Sequence, residues 1–346
     1  MNKMACVLLW VVLLAGGTGQ VFHPIPAAGA GTVLTKLHVG LVVSVSDAGF
    51  FIAIDKGYFR DQGIEIEVER FDSAARMVAF LGTGQLDVGG GAPGAGLFNA
   101  MARDIPVKIV ADKGHIEPGH GFEAMIVRKE LTGVLKSAAD FRGKKVALSA
   151  RDIVPEVDLD AFLRTGGLTI NDINVITLAF GDMGAALGNG SIDAAQVIEP
   201  FVTQIVDKGL GVILKRNDEV VQYQQVAVVL YSPKFASYNP GLARKFMLAY
   251  LRGVRDYNDA FVKKDPAAKN EVVQILTRNT PVKDPTLYDK MVMPGLDPKG
   301  RVMLDSLAGQ QNWFLNKGTQ KTRVDLGKAV DHQYVEWAAK QLAAAK

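Results

Sequence analysis

The sequence predicts a two-lobed α/β protein followed by a tail of helices, and three observations carry that reading. Short β-branched runs alternate with amphipathic segments between Lys36 and Tyr231, a glycine- and proline-rich stretch interrupts the alternation once, and after Asn239 only helical spacing remains. Roughly 315 residues remain once the first 30 are set aside, and at that size a single core stops growing and the chain divides.

The elements follow in order. Leu37–Val43 reads as a strand, and Asp55-Lys-Gly-Tyr-Phe59 closes a helical turn before a second strand, Ile64–Arg70, whose strict alternation marks one buried face. Ser73 is an N-cap for Ala74–Leu81, and Gly82 and Gly84 end that helix. A short strand at Leu86–Gly89, a glycine-rich turn to Gly96, a helix near Leu97–Ala102 and a strand at Val107–Ala111 complete the first unit. The segment Lys113–Phe122 holds His115, Glu117 and His120 among glycines and a proline, and reads as the first crossover between lobes.

A second lobe runs from about Glu123 to Val221, with strands at Ala124–Arg128, Lys145–Ser149, Asn174–Leu178, Ala194–Ile198 and Gly211–Leu214. Its helices are expected near Pro155–Thr165, Met183–Leu187 and Pro200–Lys208. The apolar strand Gln225–Tyr231 returns the chain, so the first lobe comprises residues 36–115 and 225–346 and the second residues 123–221. Asn239-Pro240 starts the helical tail, whose further helices are expected near Ala267–Arg278, Pro285–Val292, Lys299–Leu315 and Leu326–Leu342, with Trp313, Phe314 and Trp337 as core candidates.

Lys3, the apolar run Ala5–Ala15 and the small residues of Ala27–Gly31 have the layout of an export signal, and the run is shorter than the ~20 residues of a membrane span. Residues 1–30 are therefore expected to be removed, leaving a periplasmic or otherwise extracytoplasmic protein. Cys6 is the only cysteine and lies inside that signal. The mature chain thus has no disulfide, thiol nucleophile, cysteine zinc site or iron–sulfur cluster. The net charge of +3 is spread along the chain, which argues against a nucleic-acid partner.

Several stretches together resemble a known family. Ser46–Glu67 (SDAGFFIAIDKGYFRDQGIEIE) resembles the opening motif of type II substrate-binding proteins of the sulfonate, nitrate, taurine and thiamine-pyrimidine family. Gly82-Thr-Gly-Gln-Leu-Asp-Val-Gly89, Asp140–Leu148 and Gly190–Ala195 with Glu199-Pro200 agree with it in order and spacing. The resemblance covers most of Leu37–Tyr231. It implies a type II periplasmic-binding-protein fold: two α/β lobes joined by two crossover strands, a ligand trapped between them by hinge closure, and the permease subunits of an ABC importer as partners of a monomeric receptor.

In sheets of this kind ligands sit beyond the carboxyl ends of the strands. The first lobe then offers Ser44, Ser46, Asp47 and Phe50, next Phe71, Asp72 and Ser73, and then Gly90, Gly91 and Ala92. The second lobe offers Ser149, Arg151 and Asp152, then Asp182 and Met183, and finally Glu199. Helix-start N–H groups among them suit an anion. Arg151 reads as the cleft's cation and a clamp for an acidic group, whereas Asp47, Asp72 and Glu199 argue against a simple small anion as the whole ligand. A ligand with an acidic end and a polar or aromatic body reconciles them. Each residue also has a plainer role: Ser73 as a cap, the glycines as a tight turn, Arg151 as an ion pair with Asp152, and one of Phe50 and Phe51 as core.

No metal or cofactor is expected. His115, Glu117 and His120 are spaced for metal donors, but a stretch this rich in glycine serves a hinge equally well. No Gly-x-Ser-x-Gly elbow, metalloprotease helix or P-loop occurs, so a hydrolase is not indicated. The family's pyrimidine-making enzymes resemble a cytoplasmic, iron-dependent, cysteine-rich pattern that this chain lacks. A lobe that senses its ligand for a membrane signalling partner would share the same fold.

Overall fold

A computed structural model describes residues 33–344; the expected signal at 1–30 lies outside the described residues. In chain order the strands are β1 (Thr35–Leu41), β2 (Ile64–Arg70), β3 (Val88–Gly91), β4 (Lys108–Ile116), β5 (Glu123–Arg128), β6 (Lys145–Leu148), β7 (Asn174–Thr177), β8 (Ala194–Ile198), β9 (Gly211–Arg216) and β10 (Gln224–Tyr231). The helices of the strand-bearing part are α1 (Ala48–Asp55), α2 (Met77–Thr83), α3 (Ala95–Met101), α4 (Val154–Arg164), α5 (Phe180–Gly188) and α6 (Phe201–Asp207). Those of the tail are α7 (Pro233–Tyr238), α8 (Pro240–Phe261), α9 (Pro266–Asn279), α10 (Leu304–Lys317), α11 (Leu326–Ala329) and α12 (Gln333–Ala344).

Two five-stranded sheets result, in the orders β2-β1-β3-β10-β4 and β7-β6-β8-β5-β9. β1 lies parallel to β2 and β3, and β6 parallel to β7 and β8. Each sheet also contains one strand that runs against its neighbours: β10 is antiparallel to β3 and β4, and β5 to β8 and β9. These two are the strands that follow the crossings between lobes. The two-lobed α/β fold expected from the sequence is the fold observed.

The tail covers the first sheet, and its contact with α1 is very close. Phe50 lies 4.7 Å from the ring of Tyr250 and 6.1 Å from that of Phe246, all three fully buried. Gly253 on α8 permits the approach, since a methyl group there would stand 2.2 Å from the carbonyl oxygen of Gly49. We predict that Gly253→Ala lowers stability by about 1–3 kcal/mol, because α1 must be pushed away and that overpacking is not relieved by any flexible side chain. Urea denaturation of the two proteins measures it, and an unchanged midpoint would show that the helices part freely.

Some boundaries differ from the sequence reading. β3 starts later than expected, at Val88. The expected helix at Pro285–Val292 is a single 3₁₀ turn over Pro285–Asp289, and the one expected from Lys299 begins at Leu304. The helix expected over Leu326–Leu342 breaks at Val330, where the N–H of Asp331 donates to the Ile109 carbonyl at the edge of β4. Phe314 is fully buried, while Trp313 and Trp337 are partly buried against the core. The largest difference is in the glycine-rich segment: Lys113–Ile116 is not linker but the second half of β4, and both Lys113 and His115 are buried.

Candidate ligand-binding site between the lobes

The lobes meet across a narrow cavity at the carboxyl ends of their strands. The first lobe contributes Val42, Ser44 and Ser46 after β1, Ser73 and Ala74 after β2, Gly91 and Ala92 at the end of β3, Lys113 from β4, and Val226 and Ala227 from β10. The second contributes Glu123 from β5, Ser149 after β6, Ile153 and Pro155 at the start of α4, Phe180 at the start of α5, and Ile198 at the end of β8. Phe122 closes the side nearest the crossover. The cavity is small, about 40 Å³.

Direct hydrogen bonds join the lobes around this space. The N–H of Ala95 donates to the Asp152 carbonyl at 2.9 Å, that of Val154 to the Pro93 carbonyl at 3.2 Å, and that of Val45 to the Glu199 carbonyl at 3.3 Å. Two of these donors sit at the starts of α3 and α4. The N–H groups at these two helix starts are therefore taken by the opposite lobe. Gly94 makes the approach possible, because a methyl group there would lie 2.4 Å from the Asp152 carbonyl oxygen.

A buried polar chain forms the first-lobe floor. Lys113 Nζ stands 2.8 Å from Asp47 Oδ1 and donates to Ser46 Oγ at 2.8 Å, and Ser46 shares a hydrogen bond of 2.8 Å with Ser44 Oγ. The second oxygen of Asp47 accepts from the Ser44 N–H at 2.8 Å, tying the loop after β1 into a turn. Val43, just before it, has φ 65, a left-handed conformation that a β-branched residue adopts only at a cost of about 1–3 kcal/mol. Gly90 lies under the lysine stem, since a methyl group there would stand 2.8 Å from Lys113 Cε.

The second-lobe wall carries an acid pair. Glu123 Oε2 accepts from Asn217 Nδ2 at 2.8 Å, while Asp158 accepts from Gln224 Nε2 at 2.7 Å and from Asn217 Nδ2 at 3.2 Å. Both carboxyls are buried. Burial, and then the neighbouring Asp158 charge, hold the Glu123 carboxyl well above the usual range. Burial likewise pushes Asp158 up to about 7, against the opposing hydrogen bonds from Glu123, Gln224 and Asn217. One proton between two such groups belongs to the pair.

The structure separates the residues chosen from sequence. Ser44, Ser46, Ser73, Gly91, Ala92 and Ser149 line the cavity, with Asp47 and Gly90 immediately behind it. Phe71 and Asp72 line a different groove with Gly181 and Phe201, and Asp72 pairs with Arg76 at 3.2 Å. Phe50 and Met183 are corrections: both are fully buried core, and Phe51 is buried as well, so neither phenylalanine forms cavity wall. Asp182 is exposed in the first turn of α5. Glu199 is buried and accepts from Thr203 N at 3.0 Å and Thr203 Oγ1 at 3.1 Å, so it organises α6 behind the wall.

Arg151 is the main electrostatic correction. Its Nε lies 2.6 Å from Glu156 Oε1, its side chain is 42% exposed, and with Asp152 it lines a separate groove. The cation of the cavity is Lys113, which the sequence reading assigned to a linker. Glu123 was missed for the same reason, as the first residue after that linker. A signal was present for Glu123, which directly precedes the unbroken apolar run Ala124–Val127; Lys113 had a weaker one, two residues after the apolar Ile109–Ala111. Among the described residues no group of three or more His, Cys, Asp or Glu side chains could hold a metal ion. His115 instead bonds Asp112 at 2.9 Å, and His120 the Met293 carbonyl at 2.9 Å.

Two sheets joined by paired crossings, with a small cavity at their facing strand ends, define a two-lobed periplasmic-binding-protein architecture. The family described as NMT1/THI5 like matches residues 45–261, and the chain belongs to that family. A Bacillus subtilis (strain 168) protein named for aliphatic sulfonates binding is 24% identical over 99% of this chain and 98% of its own length. The alkanesulfonate-binding protein SsuA from Xanthomonas axonopodis pv. citri, solved bound to MOPS, superposes with a TM-score of 0.69 at 18% identity, covering 86% of this chain and 98% of that one. A 4-amino-5-hydroxymethyl-2-methylpyrimidine phosphate synthase from Aspergillus parasiticus is 24% identical over 69% of this chain and 68% of its own length. The sulfonates-binding relative spans 99% of this chain and the synthase 69%.

Proposed function

We propose that the protein is the extracytoplasmic receptor of an ABC importer, which captures a small organic solute between its lobes and presents the closed form to membrane permease subunits. The observation that carries this reading is the cavity itself, lined from both sheets and ringed by lobe-to-lobe hydrogen bonds. A ligand that touches both lobes stabilises the closed form; one that touches a single lobe does not shift the balance. Residues 36–115 with 225–346 act as one lobe and 123–221 as the other, with bending at the crossings near 117–122 and 217–223. Ser44, Ser46, Ser73, Gly91, Ala92 and Ser149 are the proposed ligand contacts from the sequence reading, joined by Lys113 and Glu123. The export signal at 1–30 and the sulfonate, nitrate and taurine names among relatives support the location and the importer partnership.

Thermal-shift screening against sulfonates, nitrate, aromatic acids, pyrimidines and amines, followed by small-angle scattering on any hit, tests the reading. A true solute at 100 times its Kd adds about 2.7 kcal/mol of stability and reduces the radius of gyration. Stabilisation without compaction would contradict closure, and an empty screen across all classes would contradict the receptor reading.

A further inference from the structure

Resting on the lobe closure of the receptor reading but going beyond it, we propose that α10 of the helical tail and α4 of the second lobe form a latch, which stabilises the closed form whether or not a solute is bound. None of its residues lines the cavity. The buried face of α10 fixes it to the first lobe: Phe314 is fully buried 6.3 Å from Phe98 of α3, and Leu307 is buried in the same cluster. The other face meets α4. Trp313 packs against the apolar cores of both lobes, and its Nε1 donates to Asp160 Oδ2 at 2.9 Å. One turn further on, Lys317 Nζ donates to Asp152 Oδ1 and to Glu156 Oε2, each at 2.7 Å, and lies 5.0 Å from the centre of the Trp313 ring. Three charge-assisted hydrogen bonds thus pass from lobe to lobe here. Lys290 and Asp207 also pair across the lobes at 2.7 Å, but both are exposed, and an ion pair in that setting contributes little.

Two features let these contacts part and re-form. The buried carboxylates hold donors of their own lobe: Asp160 accepts from Arg164 Nε at 2.7 Å and from the Ile170 N–H at 2.8 Å, and Glu156 faces Arg151 Nε at 2.6 Å and accepts from the Asp152 N–H at 2.6 Å. Opening therefore leaves neither acid uncompensated, and Lys317, already 19% exposed, returns to water. The second feature is leverage. α10 starts at the second crossing, where Ser306 Oγ donates to Gln224 Oε1 at 2.8 Å, and the helical rise places Lys317 about 16 Å further along the axis. Rotation at the crossings parts Lys317 from its carboxylates before it disturbs the start of the helix. A latch of this kind acts on every solute alike, because it sets the closed fraction, and the apparent affinity scales with that fraction while the cavity residues set the order of preference.

Pulsed-EPR distances between spin labels at Val134→Cys in the second lobe and Tyr238→Cys in the first, two exposed positions, measured on the mature protein refolded free of solute, test the latch. The otherwise unchanged protein is expected to populate the closed distance without solute. Lys317→Met keeps the stem and removes the charge, and should lower the ratio of closed to open forms about tenfold, as the loss of one charge-assisted hydrogen bond implies. A protein with the native lysine that is open throughout, or a ratio unchanged in Lys317→Met, would overturn the latch. Should Lys317→Met fail to fold, Trp313→Phe, which loses only the bond to Asp160, decides the matter by the same measure. No solute enters this measurement, so it is separable from the screen above: an empty screen removes the receptor reading, whereas an unchanged ratio removes the latch alone.

Discussion

Lys113→Met is expected to lower the stability of the protein by about 3–5 kcal/mol, because it leaves the Asp47 carboxylate buried without its countercharge. Lys113 and Asp47 are 1% and 0% exposed, so water cannot replace the lost partner without opening the loop after β1. The Ser44 N–H and Ser46 hydroxyl that share this network would lose their registry too. The double variant Lys113→Met with Asp47→Asn removes both charges, and most of the loss should be regained, since replacing a buried pair costs far less than breaking it. Urea denaturation of the wild type, the single and the double variant measures the effect. A loss below about 1 kcal/mol for the single variant would mean that the pair behaves as a surface ion pair.

The acid pair makes an opposite kind of prediction, in pH. The carboxyls of Glu123 and Asp158 have folded-state affinities for protons raised above their ordinary ones, Asp158 to about 7. Between the unfolded value and the folded one, the native state holds more protons than the unfolded chain, so stability falls as pH rises through that window. For Asp158 the contribution is present in full below about pH 4 and is lost by about pH 7, and three pKa units correspond to roughly 4 kcal/mol. Carboxylates with lowered values, such as Asp140, Asp172 and Glu67, act with the reverse sign and below that window, where they lose stability as pH falls. The difference between the wild type and a Glu123→Gln, Asp158→Asn variant isolates the pair. The variant should gain stability relative to the wild type as pH is raised from 4.5 to 7. A constant difference across that range would mean that the pair is ionised throughout.

Most of the fold could be read from local pattern, because strand and helix periodicity and glycine or proline punctuation are properties of neighbouring residues. The errors fall where a long-range partner overrides the local signal. Leu326–Leu342 has the spacing of one helix, but the edge of β4 captures Asp331 and divides it. Lys113-Gly-His reads as a linker because of its glycine, yet β10 pairs with it and extends β4 to Ile116. That single misplacement hid the cavity's cation and, just past the crossover, its buried acid.

The site was legible to the extent that it follows strand ends. Ser44, Ser46, Ser73, Gly91, Ala92 and Ser149 line the cavity because they follow strands, and strand ends can be located from sequence. Phe50 and Met183 follow the same rule but lie on helix faces that turn towards the core, a matter of rotation about a helix that the packing of α1 on α8 and of α5 on the second sheet decides. Alternating elements, one crossover signal and a set of spaced motifs are local features, and they lead to the two-lobed α/β fold. Only the tertiary structure decided the chemistry of the cleft. Whether Lys113 or Arg151 meets a ligand, whether Asp47 is free or matched, and whether Glu123 has a partner all depend on distances between residues far apart in the chain, and charges in a buried site are governed by those distances.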